Sequence, residues 1–213
     1  MIVETPVPVG ALDLPGSLEV PPHPSGLVVF AHGSGSGRLS PRNRAVAAEL
    51  HRRDFATLLF DLLTPDEAMD RRNVFDIGLL SDRLAEAAVW ANGHSELRHL
   101  PVGLFGASTG AAAAIRAAAD RPLLVESVVS RGGRPDLAGD ALPWVFAPTL
   151  LVVGGHDPEV LQLNRSAMEQ MRGTVELAIV PGAGHLFEEP GTLERVADLA
   201  AGWFARTFDH HRA

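Results

Sequence analysis

The stretch "FGASTGAAAAI" (105–115) decides how this chain folds. An apolar run, "LPVGLF" (100–105), leads into it and an alanine-rich run leads out. Between them Gly106, Ser108 and Gly110 fall in the spacing G-x-S-x-G. A serine set between a strand and a helix in this way can stand on a strained turn with its hydroxyl exposed. The competing reading is a small residue in a glycine turn, and the rest of the chain has to choose between them.

Working outward, short apolar runs alternate with longer amphipathic ones. Strands are expected at "GLVVFAHG" (26–33), "ATLLFDLL" (56–63), "VGLFGAS" (102–108), "VESVVSRGG" (125–133), "TLLVVGG" (149–155) and "ELAIVPG" (176–182). Runs that are apolar on both faces suit a parallel sheet covered by helices. Helices are expected over roughly 41–53, 75–93, 110–120, 159–171 and 191–208. In the last, Leu193, Val196, Ala197, Ala200, Trp203 and Phe204 share a face. Before residue 26, two short strands around a Pro-Gly turn read as an antiparallel edge hairpin, because proline suits an edge. The fold class is α/β, a mostly parallel central sheet flanked by helices, with 1–213 as one domain. Segment 131–148 is the least regular and too short for a large lid. The strand near 176–180 is expected at an edge where a second subunit could pair, so a monomer or a homodimer is compatible.

Composition narrows the chemistry. The 213 residues carry a formal net charge of −8, which speaks against nucleic acid as a partner. There is no cysteine and no tyrosine, and all 18 basic residues are arginine. Thiol, Schiff-base, P-loop lysine and tyrosine chemistry are thereby closed. The opening "MIVETPVPVG" lacks a signal-peptide pattern, and no apolar run is long enough to span a membrane, so a cytoplasmic protein is expected.

Ligand sites of open parallel sheets gather at the carboxyl ends of the strands. Four of the expected strands end in reactive or donor groups. Ser108 follows one, Asp157 follows "TLLVVGGH", His185 follows "ELAIVPGAG", and the glycine-rich "GSGSG" (33–37) follows "LVVFAH". A serine hydroxyl needs a base, the base needs a carboxylate to orient it, and the tetrahedral intermediate needs N–H donors. The order Ser, Asp, His matches the α/β-hydrolases and neither the chymotrypsin nor the subtilisin order. Asp157 also reads as a helix N-cap before Pro158. Asp136 and Asp61 follow other strands and compete for the acid's role. His32 is expected to brace the glycine loop, and His156 to be exposed. His210 and His211 fall in the C-terminal tail. No pair of histidines has metal-ligand spacing, so no metal is expected. The glycine loop is no dinucleotide fingerprint, because Arg38 stands where G-x-G-x-x-G needs glycine.

The sequence resembles the α/β-hydrolases, and within them the dienelactone hydrolase-like proteins. The resemblance is carried by "FAHGSGSG", "GASTG", "APTLLVVGGHD" and "PGAGHLFEEP". It implies Ser108 as nucleophile, Asp157 as acid and His185 as base. It implies an oxyanion hole made by the backbone N–H groups of Thr109 and Ser34. The dienelactone hydrolases proper use a cysteine nucleophile, which this chain lacks, so the resemblance points to a serine esterase for carboxylic esters, thioesters or lactones. No cofactor is expected, and the partner is a small-molecule ester. Acyl transfer, small-peptide hydrolysis or a catalytically silent binding role would use the same fold. Arg38, Arg42, Arg131 and Arg134 are expected in loops on the active rim, where they could bind an anionic group of the substrate or pair with acids such as Asp136 and Asp140.

Overall fold

The computed structural model describes residues 5–209. His210 and His211 therefore lie outside the described residues. An eight-stranded sheet runs in the order β1-β2-β4-β3-β5-β6-β7-β8. Its strands are β1 (Thr5–Val9), β2 (Leu14–Glu19), β3 (Gly26–Ala31), β4 (Phe55–Phe60), β5 (Val102–Ala107), β6 (Ser127–Arg131), β7 (Thr149–Gly154) and β8 (Val175–Val180). The expected hairpin is present: β1 pairs antiparallel with β2, and β2 antiparallel with β4. From β4 to β8 every pairing is parallel. β8 closes one edge.

The long helices are α1 (Pro41–Arg52), α4 (Ile77–Asn92), α5 (Thr109–Asp120), α6 (Pro158–Met168) and α7 (Thr192–Asp209). The alternation of buried faces explains the continuous apolar strands. Leu27, Val29 and Ala31 join the core beneath α4 and α5, while Val28 and Phe30 join the core beneath α1 and α7. With both faces covered, no polar alternation is needed. In α7, Val196, Ala197, Ala200, Trp203, Phe204 and Phe208 are buried, while Leu193 is only partly covered. The alanines of α5 are almost all buried, and their small side chains let this helix sit between the sheet, α4 and the segment after β6.

Two short helices, α2 (Pro65–Met69) and α3 (Arg71–Val74), fill the stretch between β4 and α4. Each is fixed by its cap, Thr64 in a full capping box and Asp70 through the Arg72 N–H. Four or five residues carry too little periodicity to be read as helices from sequence. Segment 131–148 holds a 3₁₀ run, Pro135–Trp144, broken at Gly139. Among the described residues no helix is long and apolar enough to cross a membrane.

Candidate active site

Ser108 joins β5 directly to α5 with φ 52° and ψ −119°. For a residue with a Cβ this conformation costs about 1–3 kcal/mol and persists only where the surroundings hold it. They do. The Ser108 N–H donates to the Arg131 carbonyl at 3.2 Å, and the Ser108 carbonyl accepts from Ala111 and Arg134 N–H, both at 3.1 Å. The turn is tight enough to demand its glycines. A Cβ on Gly106 would lie 2.4 Å from Ala111 Cα, and one on Gly110 would lie 2.3 Å from the Ala31 carbonyl oxygen.

Serine at the N-cap of a helix ordinarily accepts from an N–H of the first turn. Ser108 does not. Asp157, the N-cap of α6, does not cap either. Its carboxylate accepts instead from His185 Nδ1 at 2.7 Å. Elsewhere caps are used: Ser40, Thr64, Asp70 and Asp76 each accept from their helix. Two helices of this rim thus leave their capping side chains to other work, at a cost of about 0.5–2 kcal/mol each. A carboxylate only accepts, so His185 carries its proton on Nδ1 and offers Nε2 as a base.

The three side chains come from three strand ends that meet. A Cβ on Gly132, just past β6, would lie 3.1 Å from the His185 carbonyl oxygen and 3.7 Å from its Nδ1. Gly132 follows Arg131, whose carbonyl holds Ser108. On the other side, a Cβ on Gly33 would lie 3.2 Å from Ser108 Cβ. The Asp157 side chain is 14% exposed and that of His185 40%, so the base faces solvent while the acid is sheltered. The Ser108 hydroxyl has no hydrogen-bond partner among the described residues.

The rival acids are engaged elsewhere. Asp136 forms a two-point pair with Arg134, at 2.8 and 2.7 Å. Asp61 accepts the Arg38 N–H at 2.8 Å and lies 3.6 Å from its guanidinium. His156 is exposed. His32 braces the glycine loop: its Nε2 accepts from the Leu62 N–H at 3.1 Å, so its Nδ1 donates to the Gly33 carbonyl at 3.0 Å. Burial pushes its pKa down, against smaller opposing pulls from the Gly33 carbonyl and Asp61.

Ser34 and Thr109 meet in the wall of a cavity of about 310 Å³. Its walls include Leu62, Leu63, Ala68, Val74 and Leu80. Ala68 and Val74 escape sequence reasoning, since the short helices α2 and α3 that carry them are not read from the sequence. The meeting also shows a contact the sequence does not announce. The Ser34 N–H donates to Thr109 Oγ1 at 3.0 Å, across 75 residues of chain.

The four arginines separate. Arg42 and Arg131 are not in loops: Arg42 lies in the first turn of α1 and Arg131 ends β6, inside the helix and strand expected over 41–53 and 125–133. Arg38 and Arg134 are paired with Asp61 and Asp136, and Arg42 with Glu188 at 3.2 Å. Asp140 pairs with Arg116 rather than with any of the four. Arg131 has no acidic partner among the described residues. It is 8% exposed and its Nη1 is buried without a hydrogen bond. Burial, helped by the Arg42 charge, pushes its pKa down to about 10, so it remains a cation at neutral pH.

A dienelactone hydrolase from Anabaena variabilis, known as a crystal structure, superposes on this chain with a TM-score of 0.92 at 52% identity. The match covers 97% of this chain and 98% of that one. The chain belongs to the dienelactone hydrolase family of the α/β-hydrolase fold. The chain carries serine at the elbow and no cysteine anywhere. No family model matches the sequence. A Mycobacterium tuberculosis protein that carries a provisional phosphoribosyl transferase name is 59% identical over 203 residues. That match takes in 95% of this chain but only 45% of the relative, so the chain spans about half the length of the curated relative. A Bradyrhizobium protein named as a probable 2-oxo-3-(5-oxofuran-2-ylidene)propanoate lactonase is 29% identical over 165 residues, 68% of this chain and 66% of that protein.

Proposed function

We propose that this dienelactone hydrolase family member is a serine hydrolase of carboxylic esters, with lactones and thioesters as the related substrates to test first. The observation that carries this reading is the Asp157–His185 hydrogen bond at 2.7 Å, made by an acid that forgoes capping its own helix. His185 Nε2 takes the Ser108 proton as Oγ attacks the acyl carbon. A tetrahedral oxyanion forms beside Thr109, at the start of α5, where helix N–H groups point outward. His185 then gives the proton to the leaving oxygen or sulfur, and Asp157 stabilises the imidazolium in between. Water, deprotonated by the same imidazole, releases the acid and restores Ser108. The apolar cavity beside Ser34 and Thr109 takes the organic group of the ester.

Lactone cleavage is favoured among these by the names of two relatives, the Anabaena dienelactone hydrolase and the Bradyrhizobium lactonase. The transferase name of the mycobacterial relative belongs to a protein more than twice as long as the shared segment. That name is therefore not extended to this chain. For an acidic group on the substrate, Arg131 is the proposed partner, because it is the arginine of the four whose buried charge has no acid against it.

A fluorophosphonate probe tests the reading. Ser108 should be labelled in the wild-type protein, and Ser108→Ala should lose both labelling and turnover of p-nitrophenyl esters and lactones. Full turnover by Ser108→Ala sinks the mechanism. A folded wild-type protein that resists labelling and cleaves none of the substrates favours a silent binding role.

A further inference from the structure

The glycine loop and the elbow are joined by one hydrogen bond, and its direction has a consequence for catalysis. In the usual arrangement two backbone N–H groups point at the developing oxyanion. Here one of the two expected donors, the Ser34 N–H, points at Thr109 Oγ1. Thr109 is 5% exposed and lines the cavity together with Ser34. A hydroxyl that accepts at its oxygen still has its own proton to give. No acceptor for that proton is present among the described residues, and the buried setting makes a donor without a target costly.

We propose that the Thr109 hydroxyl is a catalytic oxyanion donor, and that Ser34 acts through it rather than on the substrate. The oxyanion is then held by two groups of one residue, the Thr109 N–H and the Thr109 O–H. The Ser34 N–H polarises the hydroxyl from behind, as successive hydrogen bonds in a chain strengthen one another. Proton ownership does not change in this step. The hydroxyl rotates its hydrogen toward the carbonyl oxygen as that oxygen gains charge, and an O–H donor to a full oxyanion makes one of the stronger hydrogen bonds available to a protein. Residue 109 is well placed for this role. It is the first residue of α5, so its own N–H is free of the helix, and the helix dipole favours negative charge at that end. The braces around the glycine loop, His32 to Leu62 and Arg38 to Asp61, keep Ser34 where it can support the hydroxyl.

The proposal rests on the Ser108 acyl-transfer reading, and the two can fail separately. Wild-type protein is first titrated with the fluorophosphonate probe. Absence of labelling refutes the acyl-transfer reading itself. With labelling secured, Thr109→Val and Thr109→Ser are compared in kcat and KM, with circular dichroism melts to show that each is folded. Loss of one oxyanion donor costs about 10²–10³ in kcat, so Thr109→Val should fall by that factor with KM within a few-fold. Thr109→Ser, which keeps the hydroxyl, should stay within about tenfold of wild type. The arrangement in which Ser34 donates directly gives the opposite sign. There Thr109→Val frees the Ser34 N–H, and kcat holds or rises; that result overturns the proposal. A measurement on the unaltered enzyme decides the matter even if Thr109→Val does not fold. In a crystal of the trifluoromethyl ketone adduct, Thr109 Oγ1 should lie about 2.5–2.7 Å from the hemiketal oxygen. A Ser34 nitrogen at hydrogen-bond distance from that oxygen, with Oγ1 turned away, refutes the assignment.

Discussion

Gly110→Ala should separate activity from stability. A Cβ at 110 would lie 2.3 Å from the Ala31 carbonyl oxygen and 2.5 Å from that of His32. Both are backbone atoms where β3 passes into the glycine loop, so neither can rotate away. A relaxed carbon–oxygen contact needs about 3.3 Å, so the two elements must part by roughly 1 Å. The displacement falls on the first turn of α5, which carries Ser108 and Thr109 toward or away from Ser34 and His185. A 1 Å error in such a constellation costs about 10²-fold in rate, or roughly 2.7 kcal/mol of transition-state stabilisation. Stability should suffer far less. Overpacking costs about 1–3 kcal/mol, and alanine returns up to about 1 kcal/mol over glycine within a helix. At about 2–4 °C per kcal/mol for a chain of this size, Tm should fall by less than about 12 °C. The assay is kcat/KM on a p-nitrophenyl ester beside a thermal melt. Gly191→Ala serves as a control, because Gly191 has φ 79° but open space around it. It should lower Tm and leave kcat/KM alone. If Gly110→Ala keeps kcat/KM within threefold of wild type, the close approach of α5 to β3 does not set the elbow, and the argument is wrong.

Two further outcomes follow from buried groups. Arg131→Gln should lower the kcat/KM ratio of a hemisuccinate ester over its neutral analogue by about tenfold or more, since a hydrogen bond to a charged group is worth about 1.5–3 kcal/mol. Arg134→Gln, whose guanidinium is held by Asp136, should leave that ratio unchanged, and an unchanged ratio in Arg131→Gln would remove Arg131 from substrate binding. His32 predicts an acid limit to stability. Its pKa is lowered from the ordinary 6.5 by burial, so between the two values the unfolded chain binds more protons than the folded one. Its contribution is therefore complete above about pH 6.5 and lost as pH falls through the lower folded value. Protonated, its Nε2–H would face the Leu62 N–H, donor against donor. His32→Gln cannot titrate, and its Tm should decline less than that of the wild type between pH 7.5 and 5.0; parallel declines would refute this.

How much of this was legible depends on how far apart in the chain the cause and its effect lie. β3, β5 and β7 stand out because both faces are covered, which leaves an unbroken apolar run. Strand ends were less legible: β6 runs Ser127–Arg131, inside the expected 125–133, because the ladder with β5 pairs only that middle part. The Arg134–Asp136 pair lies two residues apart, and Asp136 is named from the sequence as a partner for these arginines. The Arg38–Asp61 pair spans 23 residues, and the Ser34–Thr109 bond spans 75. Those depend on strand order, which a local pattern does not contain. The cavity is of the same kind, since Leu62 and Leu63 read as strand residues and its other walls come from α2, α3 and α4.

The two capping positions show where sequence reasoning meets its limit and why the site sits there. Serine and aspartate before a helix are what any helix start favours, so as caps Ser108 and Asp157 look like Ser40 and Asp76, and only the G-x-S-x-G spacing and the preceding strands mark them in the sequence. The difference is tertiary. The helices behind Ser40 and Asp76 take the side-chain hydrogen bond, and those behind Ser108 and Asp157 are denied it. For Asp157 the gain that replaces it is visible, a carboxylate committed to an imidazole at 2.7 Å. For Ser108 it is a hydroxyl left without a partner on a backbone held at φ 52°. Local rules broken twice on one rim are what is expected where a functional site has been placed at the expense of stability.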